Sequence, residues 1–554
     1  MARNLKNKDN RVRLITCAIL AIMVVATSSV LSASATGTID LDPYDPTQSK
    51  SQTEDDSNEP VTYSGVEEID SDKSLSGDYA SSNAPENAIY IKDGTVGGSN
   101  IKIRKGGSTN KASAFSNGTN AALLMTGGSL SLEKPNISTN GDFANGLFVN
   151  DEAELKVVSS NIITSNSYSS GVVVNNGGTA NVEKAVISTA GDRSAALRVG
   201  ADGGKMTVKG GQFKTTGVNS PAAYVAAEGM MVERAKIEAS NSSSITMVEK
   251  GKAYFGYNNI VGGAEGDTKA GEPKLKGGIY LYQPVSGSGS GTTRLSLERN
   301  TINSKVGNIF AITNTSAEID MVHNSIVYPE EEKEKVFMEI GASSTGGIST
   351  NNSGYGGASV ELKASDQYIM GDFKVDRSST LSLDLSKGSK FKGAINKENS
   401  ALRVELNLSE DSVVVLTEDS YVDILNNAVS NNSNIYSNGF KLSVAGEQVS
   451  INRSEKVPSF SYDLSQTGPN ANIDEEAETV DDSAVLILLG AVFAIIVAVA
   501  LIIVIALKMR SSKQQKIQQQ NQMQLDARAR IEAQMRAEEQ SPDFGKNQYP
   551  NVHV

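Results

Sequence analysis

Apolar residues between positions 121 and 260 recur in one short pattern, which is repeated six times. Two apolar residues two positions apart are followed, five positions after the second, by another bulky apolar residue. The repeats are Leu130/Leu132 then Ile137, Leu155/Val157 then Ile162, Ala180/Val182 then Ile187, Met206/Val208 then Phe213, Met230/Val232 then Ile237, and Ala253/Phe255 then Ile260. Successive closing residues are 25, 25, 26, 24 and 23 positions apart. The chain therefore repeats a unit of about two dozen residues.

A third apolar segment precedes each pair, at 122–125, 146–149, 171–174, 196–199, 222–225 and 245–248. Alternation with a period of two indicates strands with one buried face. Three such short strands cannot bury that face alone, so each unit must stack on its neighbours. The pattern predicts an all-β fold, a single-stranded parallel β-helix. Its core would consist of vertical files of side chains, one of which contains Val157, Val182, Val208 and Val232.

Beyond residue 260 the pattern returns as Leu295/Leu297 then Ile302, and as Ile319/Met321 then Ile326. The four residues between the second and third strands never change in number, whereas the other two corners receive insertions. These insertions predict loops at 261–278, 283–293, 327–335 and 341–358. Long loops on a rigid scaffold usually carry binding functions, which makes these four the candidate binding loops. The alternative is that they are neutral surface insertions.

From 359 to 450 the register weakens, although strand-like alternation persists. The runs SKGSKFKGAINKENSALRVELNLSEDSVVVLTEDSYVDILNN and NIYSNGFKLSVAG contain Gly388-Ser389, a Thr-Glu-Asp-Ser-Tyr step at 417–421 and Asn438-Gly439-Phe440. They resemble the closing coils of bacterial cell-surface proteins with an adhesin-like right-handed β-helix, related in shape to autotransporter passengers and pectate lyases. The resemblance covers residues 86–450 and implies a right-handed helix. The chain differs from autotransporters because no amphipathic barrel strands follow.

The amino-terminal flank divides into two predicted segments. Residues 1–35 carry basic residues, the apolar run LITCAILAIMVVA and an Ala33-Ser34-Ala35 step, which are typical of a secretory signal peptide. An uncleaved anchor is the alternative. Residues 36–85 are polar and acidic, which predicts a disordered leader. The single cysteine, Cys17, lies within the signal, so a mature chain would lack disulfides and thiolate metal sites.

The carboxyl-terminal flank begins with an acidic spacer at 451–483. Residues 484–507 carry no charge over 24 positions, which is long enough for a transmembrane helix that contacts the lipid bilayer. Lys508 and Arg510 follow at once, so the ectodomain should lie outside and the helical tail, 508–554, in the cytoplasm. A stripe of Gly490, Ala494 and Ala498 could support a weak homodimer.

Composition narrows the possible functions. Only 38% of the residues are hydrophobic, 5% are aromatic and none is tryptophan, which suits thin aliphatic files better than a globular core. A formal net charge of −13 argues against nucleic acid as a partner. The only histidines are His323 and His553, and neither stands in a Gly-His-Gly step. We therefore predict no catalytic residues, no cofactor and no metal site.

Other polar residues allow structural interpretations. Outward charged residues in the repeats are interpreted as ordinary solvated groups: Lys184, Arg198, Lys209, Glu233 and Arg234. Asparagines near the fixed corner suit a hydrogen-bonded ladder: Asn136, Asn161, and Asn258 or Asn259. Asn117, Asn136 and Asn314 are alternatively glycan acceptors in a host that glycosylates them.

The sequence thus predicts a membrane-anchored rod of about a dozen coils. Its expected function is adhesion or ligand binding, to carbohydrate or to a surface protein, through the four loops. A structural spacer in the cell envelope and an enzyme similar to polysaccharide lyases are the alternatives.

Overall fold

A computed structural model describes residues 60–248, 250–263, 277–283, 291–342, 357–454, 456–458, 460 and 464–471. These residues wind into a parallel β-solenoid of about 14 turns, so the predicted β-helix architecture is confirmed. They belong to one compact unit that extends to Asn472, and a second unit, 473–554, lies outside the described residues. The predicted signal peptide, membrane span, small-residue stripe and tail also lie outside them.

Each complete coil contributes one strand to each of three parallel sheets. Sheet 1 contains β1 (Gly65–Ile69), β4 (Asn87–Ile91), β7 (Leu123–Met125), β10 (Leu147–Val149), β13 (Val172–Val174), β16 (Leu197–Val199), β19 (Ala223–Val225), β22 (Ile245–Val248), β25 (Ile279–Tyr282), β28 (Asn308–Thr313), β31 (Val336–Gly341) and β34 (Asp372–Val375).

Sheet 2 contains β2 (Lys73–Leu75), β5 (Thr95–Ser99), β8 (Ser129–Glu133), β11 (Glu154–Val158), β14 (Thr179–Glu183), β17 (Lys205–Lys209), β20 (Glu228–Glu233), β23 (Lys252–Gly256), β26 (Thr292–Glu298), β29 (Ser316–Val322), β32 (Ser359–Ser365), β35 (Thr380–Ser386), β37 (Arg403–Leu408) and β40 (Ile424–Asn427).

Sheet 3 contains β3 (Asp78–Ser81), β6 (Lys102–Lys105), β9 (Asn136–Thr139), β12 (Asn161–Thr164), β15 (Val186–Thr189), β18 (Gln212–Val218), β21 (Lys236–Asn241), β24 (Asn259–Gly262), β27 (Thr301–Ser304) and β30 (Ser325–Val327). Two small sheets close the last coils. They contain β33 (Tyr368–Met370), β36 (Lys390–Gly393), β38 (Val413–Leu416) and β41 (Ile435–Tyr436), and β39 (Ser420–Val422), β42 (Leu442–Val444) and β43 (Glu447–Gln448). The described helices are α1 (Ala112–Ser116) and a 3-10 turn at Leu464–Gln466.

The core consists of the predicted vertical files. Val157 pairs in register with Val182, Val182 with Val208, and Val208 with Val232. All four side chains are 0% exposed. Because each rung covers the rung before it, residues with small or medium side chains bury their apolar surface without a thick globular core. The stacking on which the sequence interpretation depends is therefore present.

Glycine is required where a coil enters sheet 1. An added Cβ at Gly171 would lie 2.3 Å from Ile187 Cγ2 and 2.7 Å from the carbonyl oxygen of Ala196. Any larger residue there would force two coils apart, since both contacts belong to the packed interior. This close approach explains the glycine that precedes the apolar run of this coil.

The fixed corner joins sheets 2 and 3 through two residues, because each strand extends one residue further into the four-residue spacing than the apolar pattern indicated. The first of them adopts left-handed backbone geometry even where it is not glycine, with φ of 51° at Lys134, 55° at Arg234 and 51° at Arg299. Such geometry is unfavourable for residues with a Cβ. Burial of the second corner residue inside the solenoid offsets this unfavourable geometry. The corner keeps two residues from β8 to β33, in agreement with the constant spacing of the sequence, and has three between β35 and β36.

An amide ladder stabilises this corner in the later coils. Asn258, Asn300, Asn324 and Gln367 are each 0% exposed and bond to one another in that order. The ladder prediction is confirmed for Asn258. It is wrong for Asn136 and Asn161, which are exposed on the outer face of sheet 3, because they stand one position after the inward corner residue.

The solenoid begins earlier than the sequence indicated. Strands β1, β2 and β3 form a first coil within the segment expected to be a disordered leader, and β1 pairs with β4. The coil was overlooked because its strands show exposed and buried positions without a long apolar run. At about 4.8 Å per coil, about 14 turns give a rod on the order of 60 Å long.

An insertion that the sequence interpretation missed covers the outer face of sheet 1. Helix α1 places Phe115 beside the outward Arg198, whose guanidinium lies 3.3 Å from the ring centroid. Arg198 Nη1 also donates to the carbonyl oxygen of Phe115 at 3.1 Å. Arg198 is only 7% exposed, so its interpretation as a solvated residue is wrong. Lys184, Lys209 and Arg234 are exposed, as expected.

One lysine points into the core near the amino-terminal end. Lys105 pairs with Thr139, continues a file of inward threonines and is 1% exposed. Its Nζ donates to the carbonyl oxygens of Asn83, at 2.6 Å, and of Gly106. Burial lowers the pKa of Lys105 to about 8, although the nearby Glu86 opposes the shift. The charged form of Lys105 therefore lowers the free energy of unfolding.

We expect this cost to give a measurable pH dependence. Below pH 8 the buried ammonium destabilises the fold by about 3 kcal/mol, and the penalty is relieved as the pH rises from about 8 towards 10.5. The free energy of unfolding of the wild type should therefore rise relative to that of Lys105→Met over this range. Urea unfolding at several pH values measures the difference. Lys102→Met, at an exposed position of the same strand, retains Lys105 and is the control: its free energy of unfolding should rise with pH in parallel with that of the wild type.

Candidate ligand-binding grooves

The predicted loops leave from two corners of the solenoid. Loops 283–293 and 341–358 lie between sheets 1 and 2, and loops 261–278 and 327–335 lie between sheets 3 and 1. Residues 264–276, 284–290 and 343–356 of these loops fall outside the described residues. Described residues of loops 283–293, 327–335 and 341–358 border two open grooves, whereas those of loop 261–278 line neither groove.

The sheet-2 groove lies on the outer face of the carboxyl-terminal coils. It has a volume of about 480 Å³ and runs beside the starts of β26, β29, β32 and β35. Outward residues of neighbouring strands stand in register, so two files run along it: Ser316, Ser359, Thr380 and Arg403, and beside them Glu318, Glu361, Ser382 and Glu405. Its lining includes Ser316, Glu318, Glu361, Thr380, Arg403 and Glu405.

Exposed ion pairs neutralise much of the charge in the sheet-2 groove. Arg294 binds Glu318 through two nitrogens, at 2.8 and 3.1 Å. Arg403 Nη2 lies 2.9 Å from Glu405 Oε2. Ion pairs between exposed side chains contribute little to stability, so a ligand can replace either partner at small cost. The groove therefore presents both donors and acceptors to a polar ligand.

The corner groove lies on the sheet-1 side of the same corner, beside the ends of β31 and β34. Its volume is about 490 Å³, and its lining includes Glu334, Glu339, Lys374, Asp376, Asn396 and Lys397. Lys374 Nζ lies 3.7 Å from Glu334 Oε2, which belongs to loop 327–335. One wall of the groove is therefore supplied by a predicted binding loop.

Lys397 is a fixed cation in the corner groove. Its Nζ lies 3.1 Å from Glu418 Oε1 and 3.4 Å from Asp372 Oδ2. Partial burial lowers the pKa of Lys397, but its hydrogen bond to Glu418 and the negative charge of Asp372 outweigh that effect, so the pKa is raised. The ammonium remains charged at neutral pH and is held by two carboxylates.

Asp376 anchors Ala342, at the start of loop 341–358, to the rod. Its carboxylate accepts bonds from the backbone nitrogen of Ala342 at 2.7 Å and from the hydroxyls of Ser378 at 2.9 Å and Ser379 at 2.6 Å. Burial raises the pKa of Asp376, but these hydrogen bonds reverse the shift and the pKa is lowered. A carboxylate that accepts several bonds is thus kept ionised at the base of the loop.

Tyr328 anchors loop 327–335 in a similar way. Its hydroxyl donates to the carbonyl oxygen of Met370 at 2.5 Å, and its ring is 9% exposed. Burial, followed by the charge of Asp372, raises the pKa of Tyr328 well above its ordinary value. Both loops therefore start from rigid positions, which favours a preorganised binding surface.

The described ionisable residues that line the two grooves are carboxylates, lysines and an arginine, with no histidine or cysteine among them. His323 Nδ1 lies 2.7 Å from Asp366 Oδ2, but both residues stand at the fixed corner and neither lines a groove. Within the described ranges, no three His, Cys, Asp or Glu side chains are placed to hold a metal ion. Both grooves offer hydrogen-bond donors and acceptors to a polar ligand.

Comparison of the chain with models of protein families, with curated proteins and with solved structures finds no match. The resemblance to adhesin-like surface proteins therefore stays a prediction. Among the described residues, no helix has both the length and the apolar character needed to cross a bilayer. The predicted span at 484–507 is outside that part of the chain.

Sequence reasoning placed the loops but missed the residues beside them. Lys374, Asp376 and Lys397 come from later coils and reach the corner groove only through stacking. Their local sequences are ordinary strand and turn segments, and no motif marks them. Only the positions of the insertions could have indicated these residues. In a stacked solenoid, residues of the next coils lie beside the corner that carries an insertion.

Proposed function

We propose that this chain is a single-pass cell-surface protein whose right-handed β-helix presents recognition loops for adhesion or ligand binding. The uncharged run at 484–507 and the basic residues after it support the membrane anchor. The right hand is supported by the strong preference of parallel crossover connections for that hand. The ligand classes that fit are carbohydrate and a neighbouring surface protein.

The observation that carries this proposal is the position of the two grooves. They flank the corner from which loops 283–293 and 341–358 depart, and loop 327–335 contributes a wall to one of them. Among the described residues that line the grooves, none is aromatic, and most present hydroxyl, carboxylate, amide or cationic groups. Such a lining suits a ligand with many hydrogen-bonding groups.

A groove variant of the complete chain tests the proposal. Replacing Glu334, Lys374 and Glu398 together with alanine removes three lining side chains of the corner groove. We expect affinity for a ligand found by glycan and surface-protein screening to fall about tenfold or more, because a few central contacts carry most binding energy.

The matched control removes the same charges far from the loops, through Glu133→Ala, Lys134→Ala and Glu183→Ala. Its affinity should equal that of the wild type. Equal losses in both variants would contradict a role for the groove. A chain that binds nothing in the screen would favour the structural spacer, and release of unsaturated sugar ends would favour a lyase.

A further inference from the structure

After its last coil the chain turns back and lies along the fixed corner. The ring of Phe460 meets that of Tyr368 edge-on, with centroids 6.1 Å apart. The backbone nitrogen of Gly468 donates to the carbonyl oxygen of Arg299 at 2.8 Å. Arg234 Nη1 donates to the carbonyl oxygen of Pro469 at 3.2 Å. The partners belong to progressively earlier coils, so this segment runs opposite to the advance of the solenoid.

Residues 464–471, here called the strap, fit this corner through small uncharged groups. Thr467 Oγ1 lies 3.1 Å from Thr301 Oγ1, and Gln466 Oε1 accepts from Arg299 Nη1 at 3.3 Å. Thr467, Gly468 and Ala471 are buried, whereas Ser465 and Asn470 face solvent. An added Cβ at Gly468 would lie 3.3 Å from Thr301 Oγ1, and its φ of +81° also disfavours other residues. The strap is therefore a fitted contact.

The strap moves the exit of the chain a long way along the rod. The last coil ends near Asn452, which bridges to Tyr436 in β41. Pro469 instead contacts Arg234 beside β21, seven strands earlier in the stack. At about 4.8 Å for each strand, the displacement is on the order of 34 Å. The point where the carboxyl-terminal segment leaves the solenoid is thus set by the strap.

We propose that the strap is a releasable latch that controls the reach of the carboxyl-terminal segment. The described bonds between the strap and the rod are individual side-chain and backbone contacts and do not form a β-ladder, which is typical of segments that open before the core unfolds. Release would free residues 453–471, whose extended length is up to about 65 Å. The latch itself does not depend on the proposed function; its effect on the distance between rod and membrane does.

Disulfide trapping in the complete chain tests whether the strap docks within one molecule. The side chains of Thr301 and Thr467 are close enough for a bridge, so Thr301→Cys/Thr467→Cys should oxidise within one chain. Thr301→Cys/Asn470→Cys is the control, because Asn470 is exposed and follows Pro469, which contacts Arg234 in an earlier coil. The first pair should react about tenfold faster or more, since docking raises its effective concentration. Equal rates, or bridges between two chains, would overturn docking within one molecule.

Thiol labelling tests whether the latch opens by itself. A cysteine at position 467 should become reactive at urea concentrations that leave Val182→Cys, in the core, protected. Adding Gly468→Val should raise labelling at 467 about tenfold, because the strained turn no longer fits, whereas the exposed Asn470→Val should not. If positions 467 and 182 became reactive at the same urea concentration, the strap would be unfolding together with the core. That result would overturn the latch. These results do not depend on any ligand.

Discussion

Replacing Asn300 with leucine is expected to lower the free energy of unfolding by about 3–6 kcal/mol. Asn300 is 0% exposed and uses both ends of its amide. Its Oδ1 accepts from the backbone nitrogen of Asn258 at 2.8 Å and from Asn258 Nδ2 at 3.0 Å. Its Nδ2 donates to the carbonyl oxygen of Phe255 at 2.8 Å and to Asn324 Oδ1 at 2.9 Å. Leucine has no polar atoms, so the two donors of Asn258, the carbonyl oxygen of Phe255 and the Oδ1 of Asn324 would each lose their bond to residue 300.

The matched control is Asn161→Leu. Asn161 also stands near the fixed corner, but its side chain is exposed on sheet 3, so the change should stay within about 0.5 kcal/mol. Urea unfolding followed by circular dichroism measures both variants, and hydrogen exchange in β26 and β27 shows whether the loss is local. Similar effects in the two variants would mean that the ladder adds no stability beyond the side-chain volume.

Replacing Phe337 with alanine is expected to cost about 3–5 kcal/mol, because the cavity would lie inside a stack of aromatic rings. The ring of Phe337 lies between those of Phe310 and Phe373, with centroids 5.4 and 5.3 Å away. Phe337 is 0% exposed, so surrounding coils must move to fill the space. This stack continues the aliphatic files into the coils where the sequence register weakens.

Phe440→Ala provides the comparison for a partly exposed ring. Phe440 is 37% exposed near the carboxyl-terminal end, and we expect a cost of less than about 1 kcal/mol. Because coils contact mainly their neighbours, the Phe337 variant should lose hydrogen-exchange protection first in β31 and β34, while β8 and β11 retain theirs. Uniform loss along the whole rod would contradict this nearest-neighbour account.

The files of the core and the fixed corner could be predicted because both depend on local sequence. Val182 must face inward once strands alternate, and a corner of constant length shows in the sequence as constant spacing. The ladder was predicted only in part. Asn136 and Asn258 differ by one position within the corner, and that single step decides whether the amide points to solvent or into the core.

The grooves and the strap could not be predicted from local sequence. Glu334 and Lys374 are separated by a long stretch of chain and become neighbours because one coil lies above another. Arg234 and Pro469 meet because the chain reverses after its last coil. Neither contact recurs from coil to coil, so the periodic pattern of the sequence does not predict it. Arg198 was misinterpreted for the same reason, since the helix that covers it comes from a distant insertion.

The amino-acid sequence alone determined that apolar side chains stack in files, that one corner of each coil is constant and that two corners accept insertions. It did so because burial of a strand face depends on spacing between near neighbours. Tertiary structure decided which distant polar groups share a groove, which amides enter the ladder and where the carboxyl-terminal segment leaves the rod. Those outcomes depend on which coils lie side by side, a property of the assembled stack that no single repeat contains.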